Sequence, residues 1–150
     1  MKKLSVFILS AMAALTMTAC CGNTPKECDK CDKIPVALQL YSVRDNMAQD
    51  FYGTLKAVKE MGYDGVEFAG LFDNSPEQVK AWCEELGLNP ISAHVPLVDM
   101  LAEIDKVIAD YKAIGCEYIV VPYVTAERHP DGEQFSQMIQ DIAAIGEKVK

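Results

Sequence analysis

Two ionisable side chains interrupt apolar runs. Glu67 sits inside Gly65-Val66-Glu67-Phe68-Ala69, and His94 closes Pro90-Ile91-Ser92-Ala93-His94 just before Val95-Pro96. A carboxylate in such a run must be paired, hydrogen-bonded or protonated, because burying it alone is costly. A structural partner such as Arg44 would account for it. A place in a functional cleft accounts for it better, since ionisable groups held in clefts favour sites. His94 has the same two readings, a satisfied core group or a working imidazole, and its terminal position favours the second. Glu67 and His94 are therefore the candidate catalytic residues.

Side-chain alternation brings other residues to the same place. Val36, Leu38 and Leu40 share one face of their strand, and Ala37, Gln39 and Tyr41 the other; Ser92 and His94 oppose Ile91, Ala93 and Val95. With the apolar set against helices, Gln39, Tyr41, Glu67, Ser92 and His94 converge near the C-terminal ends of their strands. Gln39, Tyr41 and Arg44 are candidate substrate contacts, Arg44 and Asp45 opening a loop on that face. Tyr123, beside Pro122, either lines the mouth of the cleft or packs. His129, in Glu127-Arg128-His129-Pro130-Asp131-Gly132, reads as solvent-exposed.

A repeated unit must position these groups: apolar strand, loop, amphipathic helix, glycine, next strand. The strands are expected at Val36–Tyr41, Gly65–Ala69, Pro90–Val95 and Tyr118–Val124, short and apolar as buried parallel strands are. Gly62, Gly87 and Gly115 follow the first three helices, where positive φ is favoured. The helical stripes are Phe51, Leu55, Val58; Val79, Trp82, Leu86; Leu101, Ile104, Ile108, Tyr111; and Phe135, Met138, Ile142, Ile145, Val149. Ser75-Pro76-Glu77-Gln78 is a helix start with Ser as N-cap. Cys83 and Cys116 read as packed thiols. Alternating strands and helices make an α/β fold with a parallel sheet. Four units fit either an open flavodoxin-like sheet or half of a (β/α)₈ barrel.

The first 34 residues stand apart. Lys2-Lys3, an apolar run from Leu4 to Met17, and small residues before Cys20 make 1–19 a secretory signal peptide. The cleavage region resembles a bacterial lipobox, with Cys20 as the lipidated first residue of an extracytoplasmic, membrane-anchored lipoprotein. Residues 20–34 form a polar tether. Its Cys28-x-x-Cys31 lacks a second ligand pair for zinc, though outside the cytoplasm a local disulfide can form. Without Lys2 and Lys3 the balance is 12 basic to 22 acidic residues, a formal charge of −10. That surface repels a phosphate backbone, which argues against nucleic acid as a partner.

Four motifs carry a family resemblance. Gln39-Leu40-Tyr41-Ser42-Val43-Arg44-Asp45, Gly62-Tyr63-Asp64-Gly65-Val66-Glu67, Ile91-Ser92-Ala93-His94-Val95-Pro96 and Tyr118-Ile119-Val120-Val121-Pro122-Tyr123 occur in order at successive strand ends. Residues 35–150 resemble the first half of the xylose-isomerase-like TIM-barrel family, which includes sugar-phosphate isomerases/epimerases. The resemblance implies a (β/α)₈ barrel of which the first four βα units are present, and metal-assisted proton transfer next to a sugar carbonyl. It implies a divalent metal (Mn, Mg, Zn or Co) whose ligands come from the fifth strand onward, leaving none in this half. Glu67 and His94 match substrate-pocket positions. The chain is accordingly expected to be incomplete for catalysis, its parent being the enzyme and its ligand a small, unphosphorylated or oxidised sugar. The alternatives are a non-catalytic carbohydrate-binding lipoprotein and an abasic-site endonuclease-like barrel, the latter opposed by the acidic charge. Unpaired first and fourth strands would also favour pairing with another chain, including a second copy.

Overall fold

The computed structural model describes residues 33–149; the signal segment, Cys20 and Cys28-x-x-Cys31 lie outside the described residues. Four strands, β1 (Ala37–Gln39), β2 (Gly65–Phe68), β3 (Asn89–His94) and β4 (Tyr118–Val120), form one parallel sheet in the order β1-β2-β3-β4. Each strand joins beside its predecessor. A flavodoxin-like sheet reverses direction after its first strands, whereas a barrel adds strands in sequence. The observed order is that of a barrel segment.

Five α-helices connect and cover the strands: α1 (Arg44–Gln49), α2 (Phe51–Glu60), α3 (Pro76–Leu86), α4 (Leu97–Ile114) and α5 (Phe135–Lys148). Local chemistry sets their ends. Asp50 has extended backbone and its carboxylate accepts the Gly53 N–H at 2.9 Å, so α1 stops and α2 starts around it. Ser75 accepts the Gln78 N–H at 3.2 Å, with Pro76 in the first turn of α3. Gly62, Gly87 and Gly115 hold φ of +97°, +63° and +104°, the backbone expected where each helix turns toward the next strand.

The core lies between the sheet and α2, α3 and α4. Val66 and Phe68 of β2, Leu55 and Val58 of α2, Val79 of α3 and Met100 and Ile114 of α4 are essentially sealed from solvent. Phe51 stacks on Phe68 with centroids 6.5 Å apart and meets Trp82 at 5.8 Å. Each such side chain contributes about 1.5–3 kcal/mol by leaving water. Cys83 is buried and Cys116 half-buried; burial pushes their thiols up to about 11 and about 12, as expected of packing rather than reactive groups.

Several expected elements differ. β1 ends at Gln39, and Leu40–Val43 turn into a 3₁₀ helix, so Tyr41 leaves the strand rather than continuing its alternation. The change of backbone lets Leu40 plunge into the core at 2% exposure. β4 stops at Val120, and residues 121–125 continue as irregular chain. Leu101 is 45% exposed rather than part of the α4 stripe. Glu103 has non-helical angles (φ −138°, ψ 40°) that kink α4, and the inward face before the kink passes to Leu97 and Met100. On α5, Ile145 is buried and Met138 partly so, but Ile142 and Val149 are exposed. Among the described residues, α5 packs chiefly on α4 and the Ala126–Arg128 turn, which cover only one side of its apolar stripe.

Two alanine substitutions should move stability in opposite directions. Gly115→Ala forces a side chain into positive φ and is expected to cost about 1–2 kcal/mol. Gly146 lies inside α5 with open space around an added Cβ, so Gly146→Ala should stabilise by about 0.5–1 kcal/mol. Urea unfolding of both variants checks the pair of signs.

Candidate active site

All four strands deliver residues at their C-terminal ends. Gln39 closes β1 and His94 closes β3, Ala69 and Gly70 follow β2, and Pro122 and Tyr123 follow β4. Together with Tyr41, Val95, Pro96, Asp99 and Tyr111 they line a cleft of about 680 Å³, a volume suited to a small molecule.

Strand register explains why the polar groups meet. Gln39 pairs with Glu67 across β1–β2, and Glu67 pairs with Ser92 across β2–β3. Paired residues point to the same face, so the three side chains form a row across the sheet. The second pairing depends on a register shift. Val66 faces Pro90 but Glu67 faces Ser92, which leaves Ile91 as an extra residue in β3. Without that bulge Glu67 would stand opposite Ile91. Re-aiming a side chain beside a site is a recognised use of a bulge.

A continuous chain of contacts results. Ser92 Oγ donates to Glu67 Oε2 at 2.5 Å, and Glu67 Oε1 lies 2.9 Å from His94 Nε2. Gln39 Nε2 lies 3.0 Å from His94 Nδ1. An amide nitrogen can only donate, so Nδ1 is the acceptor, and the ring proton sits on Nε2 facing the carboxylate. Both carboxylate oxygens and both ring nitrogens thus have partners. Side-chain exposures of 22% for Glu67 and 27% for His94 place the pair half in and half out of solvent, while Ser92 is buried behind it. His94 lines the cleft; Glu67 and Ser92 do not, and support it from the sheet.

The other expected contacts divide. The Tyr41 and Tyr123 rings flank the cleft with 58% and 64% of their surfaces exposed. Arg44 is not on the cleft wall, nor is it the partner of Glu67. Its guanidinium lies over the Tyr41 ring at 4.5 Å, donates to the Tyr41 carbonyl oxygen at 3.1 Å and stands 3.9 Å from Asp45. It braces Tyr41 by cation–π stacking. His129 is exposed, with Nε2 3.3 Å from the Val124 carbonyl oxygen.

Two ionisable lining residues, Asp99 and Tyr111, are not among those expected from the sequence. Asp99 is in the first turn of α4, where a carboxylate suits the helix N-terminus; its place just beyond the β3 strand end was the available signal. Tyr111 was read as core, and it is 93% buried, yet its side chain also reaches the cleft. Burial pushes its phenol up to about 12, neighbouring Cys116, Asp110 and Asp99 add to the rise, and a hydrogen bond from the Gly70 backbone opposes it. Nothing local in the sequence marks this double role, which depends on how α4 crosses behind the sheet.

Among the described residues no group of three or more His, Cys, Asp or Glu is placed to hold a metal ion. Glu67 and His94 offer two donors and have turned them on each other. These residues do not by themselves fit a divalent metal centre.

The fold has counterparts among solved structures. No family model and no curated protein sequence matches the chain. A sugar phosphate isomerase/epimerase from Parabacteroides distasonis ATCC 8503 superposes with a TM-score of 0.53 at 23% identity, over 75% of this chain and 51% of that one. A second structure of a sugar phosphate isomerase/epimerase from the same organism gives 0.54 at 17% identity, over 77% and 48%. At these identities the likeness is one of fold. The chain spans about half the length of each structure it matches, and its four parallel βα units have the α/β architecture of part of a TIM barrel.

Tyr111 gives this region a pH signature. Its phenol ionises near 10 when unfolded and near 12 when folded, so the neutral form is favoured by folding. The resulting contribution is complete below pH 10 and is lost as pH rises toward 12. Tyr111→Phe should flatten the fall in stability between pH 10 and 12 by on the order of 2 kcal/mol, read from thermal or urea melts across that range.

Proposed function

We propose that the cleft binds a sugar and that the protein is a sugar isomerase or epimerase, moving a proton next to a sugar carbonyl. The observation that carries this reading is His94 on the wall of a cleft at the C-terminal ends of parallel strands, with Glu67 paired to it from the sheet behind, on the face where barrel enzymes assemble their sites. The half-length likeness to two sugar phosphate isomerase/epimerase structures supports the same class.

The chemistry available from this chain is specific. With Nε2–H held by Glu67, His94 Nδ1 is the basic atom, and the carboxylate stabilises the imidazolium formed when Nδ1 takes the proton of the hydroxyl next to the sugar carbonyl; the base that accepts the proton of the adjacent carbon would come from outside the described residues. Glu67 is itself oriented by Ser92. Tyr41 and Tyr123 offer ring faces for the C–H surface of a sugar, and the Asp99 carboxylate and Gln39 amide offer hydroxyl partners. A divalent cation (Mn, Mg, Zn or Co) would polarise the carbonyl and its adjacent hydroxyl; its ligands would come from outside the described residues, and the proton held at His94 does not depend on it. We also read Cys20 as a lipid anchor outside the cytoplasm, on the sequence argument alone. That location favours an unphosphorylated or oxidised sugar.

One observation favours a second reading, a carbohydrate-binding protein without turnover: both nitrogens of His94 are already engaged. Incubation of the protein, as encoded in its native reading frame, with unphosphorylated aldoses and ketoses in D₂O separates the two. Deuterium entering the carbon next to the carbonyl, about 10²–10⁴-fold more slowly in His94→Gln, is the result expected of the isomerase. Saturable sugar binding without exchange would establish the binding protein, and absence of binding would contradict both.

A further inference from the structure

The geometry points to Gln39 as a displaceable stand-in for a ligand hydroxyl: its amide occupies His94 Nδ1 and must swing away before that nitrogen can act. The inference rests on reading the cleft as a sugar site, and it adds which nitrogen works and what guards it. Gln39 Nε2 lies 3.0 Å from Nδ1, the separation at which a sugar hydroxyl would donate to the same lone pair. The opposite nitrogen is not a candidate for ligand, because Nε2 is committed to Glu67 at 2.9 Å, and Glu67 is fixed from behind by Ser92. Of the three contacts, the one between Gln39 and His94 is therefore the one that can exchange.

The two ends of this hydrogen-bonded series also differ in their surroundings. Ser92 is buried in β3 and its hydroxyl has little room to move. Gln39 is the last residue of β1, at the point where the strand gives way to the 3₁₀ turn, and it lines the cleft itself. Its side chain has three rotatable bonds and open volume beside it. Breaking an amide-to-imidazole hydrogen bond costs on the order of 1 kcal/mol net, which a hydroxyl donating to Nδ1 returns. An incoming molecule with no donor that displaces the amide returns nothing and leaves the nitrogen without a partner. Gln39 thus gives a ligand that donates a hydroxyl at this position an advantage of about fivefold.

The chain contains two histidines, which allows a direct test. Diethylpyrocarbonate acylates a bare imidazole nitrogen, and exposed His129 is the internal standard. In Gln39→Ala, peptide mass spectrometry should show His94 acylated about fivefold faster relative to His129 than in the wild type, the factor corresponding to one lost hydrogen bond. Gln39→Asn, whose amide falls short of Nδ1, should behave like Gln39→Ala and covers the case in which the larger truncation disturbs folding. An unchanged ratio in both variants would overturn the stand-in role. Added D-fructose, the probe sugar, should slow His94 acylation in wild type and variants alike. A raised ratio with no protection by D-fructose or other unphosphorylated sugars would leave Gln39 as the guard of Nδ1 while removing the sugar reading of the cleft.

Discussion

A carboxylate placed within a nearly sealed strand constrains everything around it. Glu67 is flanked by Val66 and Phe68, both without measurable exposure, so its own side chain can only turn to the opposite face of the sheet. There it needs donors that replace water, since an unpaired buried carboxylate costs several kcal/mol. The sheet supplies two, the Ser92 hydroxyl at 2.5 Å and the His94 Nε2–H at 2.9 Å. Solving the burial problem of Glu67 in this way also fixes the tautomer of His94 and turns its other nitrogen toward the cleft. The structural requirement and the chemical asset are one arrangement.

The arrangement depends on backbone features some distance from it. The bulge at Ile91 brings Ser92 rather than an isoleucine opposite Glu67. The apolar layer formed by Leu55, Val58, Val79 and Met100 presses α2, α3 and α4 against the sheet's other face and keeps β2 and β3 in register. Arg44 holds Tyr41 at the rim although it does not itself line the cleft. Rigid strands carry the ionisable pair, whereas loops and turns carry Tyr41 and Tyr123. That division suits a site whose chemistry needs fixed atoms and whose ligand contacts need adaptable ones.

Much of this was legible in the residues. Period-two alternation put Gln39, Glu67, Ser92 and His94 on one face, and the three glycines after helices marked each return to a strand. These signals are local, and the backbone obeys them. What failed involved tertiary context. Tyr41 followed the strand pattern on paper, but burial of Leu40 turned the chain into a 3₁₀ helix first. Leu101 fitted the helical stripe until the kink at Glu103 changed which face looks inward. Arg44 had the charge to pair with Glu67 and instead stacks on its near neighbour Tyr41. The one local signal of the bulge in Asn89-Pro90-Ile91-Ser92 was Pro90, which a central strand tolerates only at its start or at a bulge, and the contact between Glu67 and Ser92 rests on it.

The central claim is that Gln39, His94, Glu67 and Ser92 act as one connected unit. Gln39 and Ser92 are coupled only through the pair between them, so a double-mutant cycle on stability tests the connection most directly. Gln39→Ala, Ser92→Ala and the combined variant should give a non-additive term of about 0.5 kcal/mol or more, as expected for members of one network. Strict additivity would mean that the two ends do not sense each other, and would contradict the account.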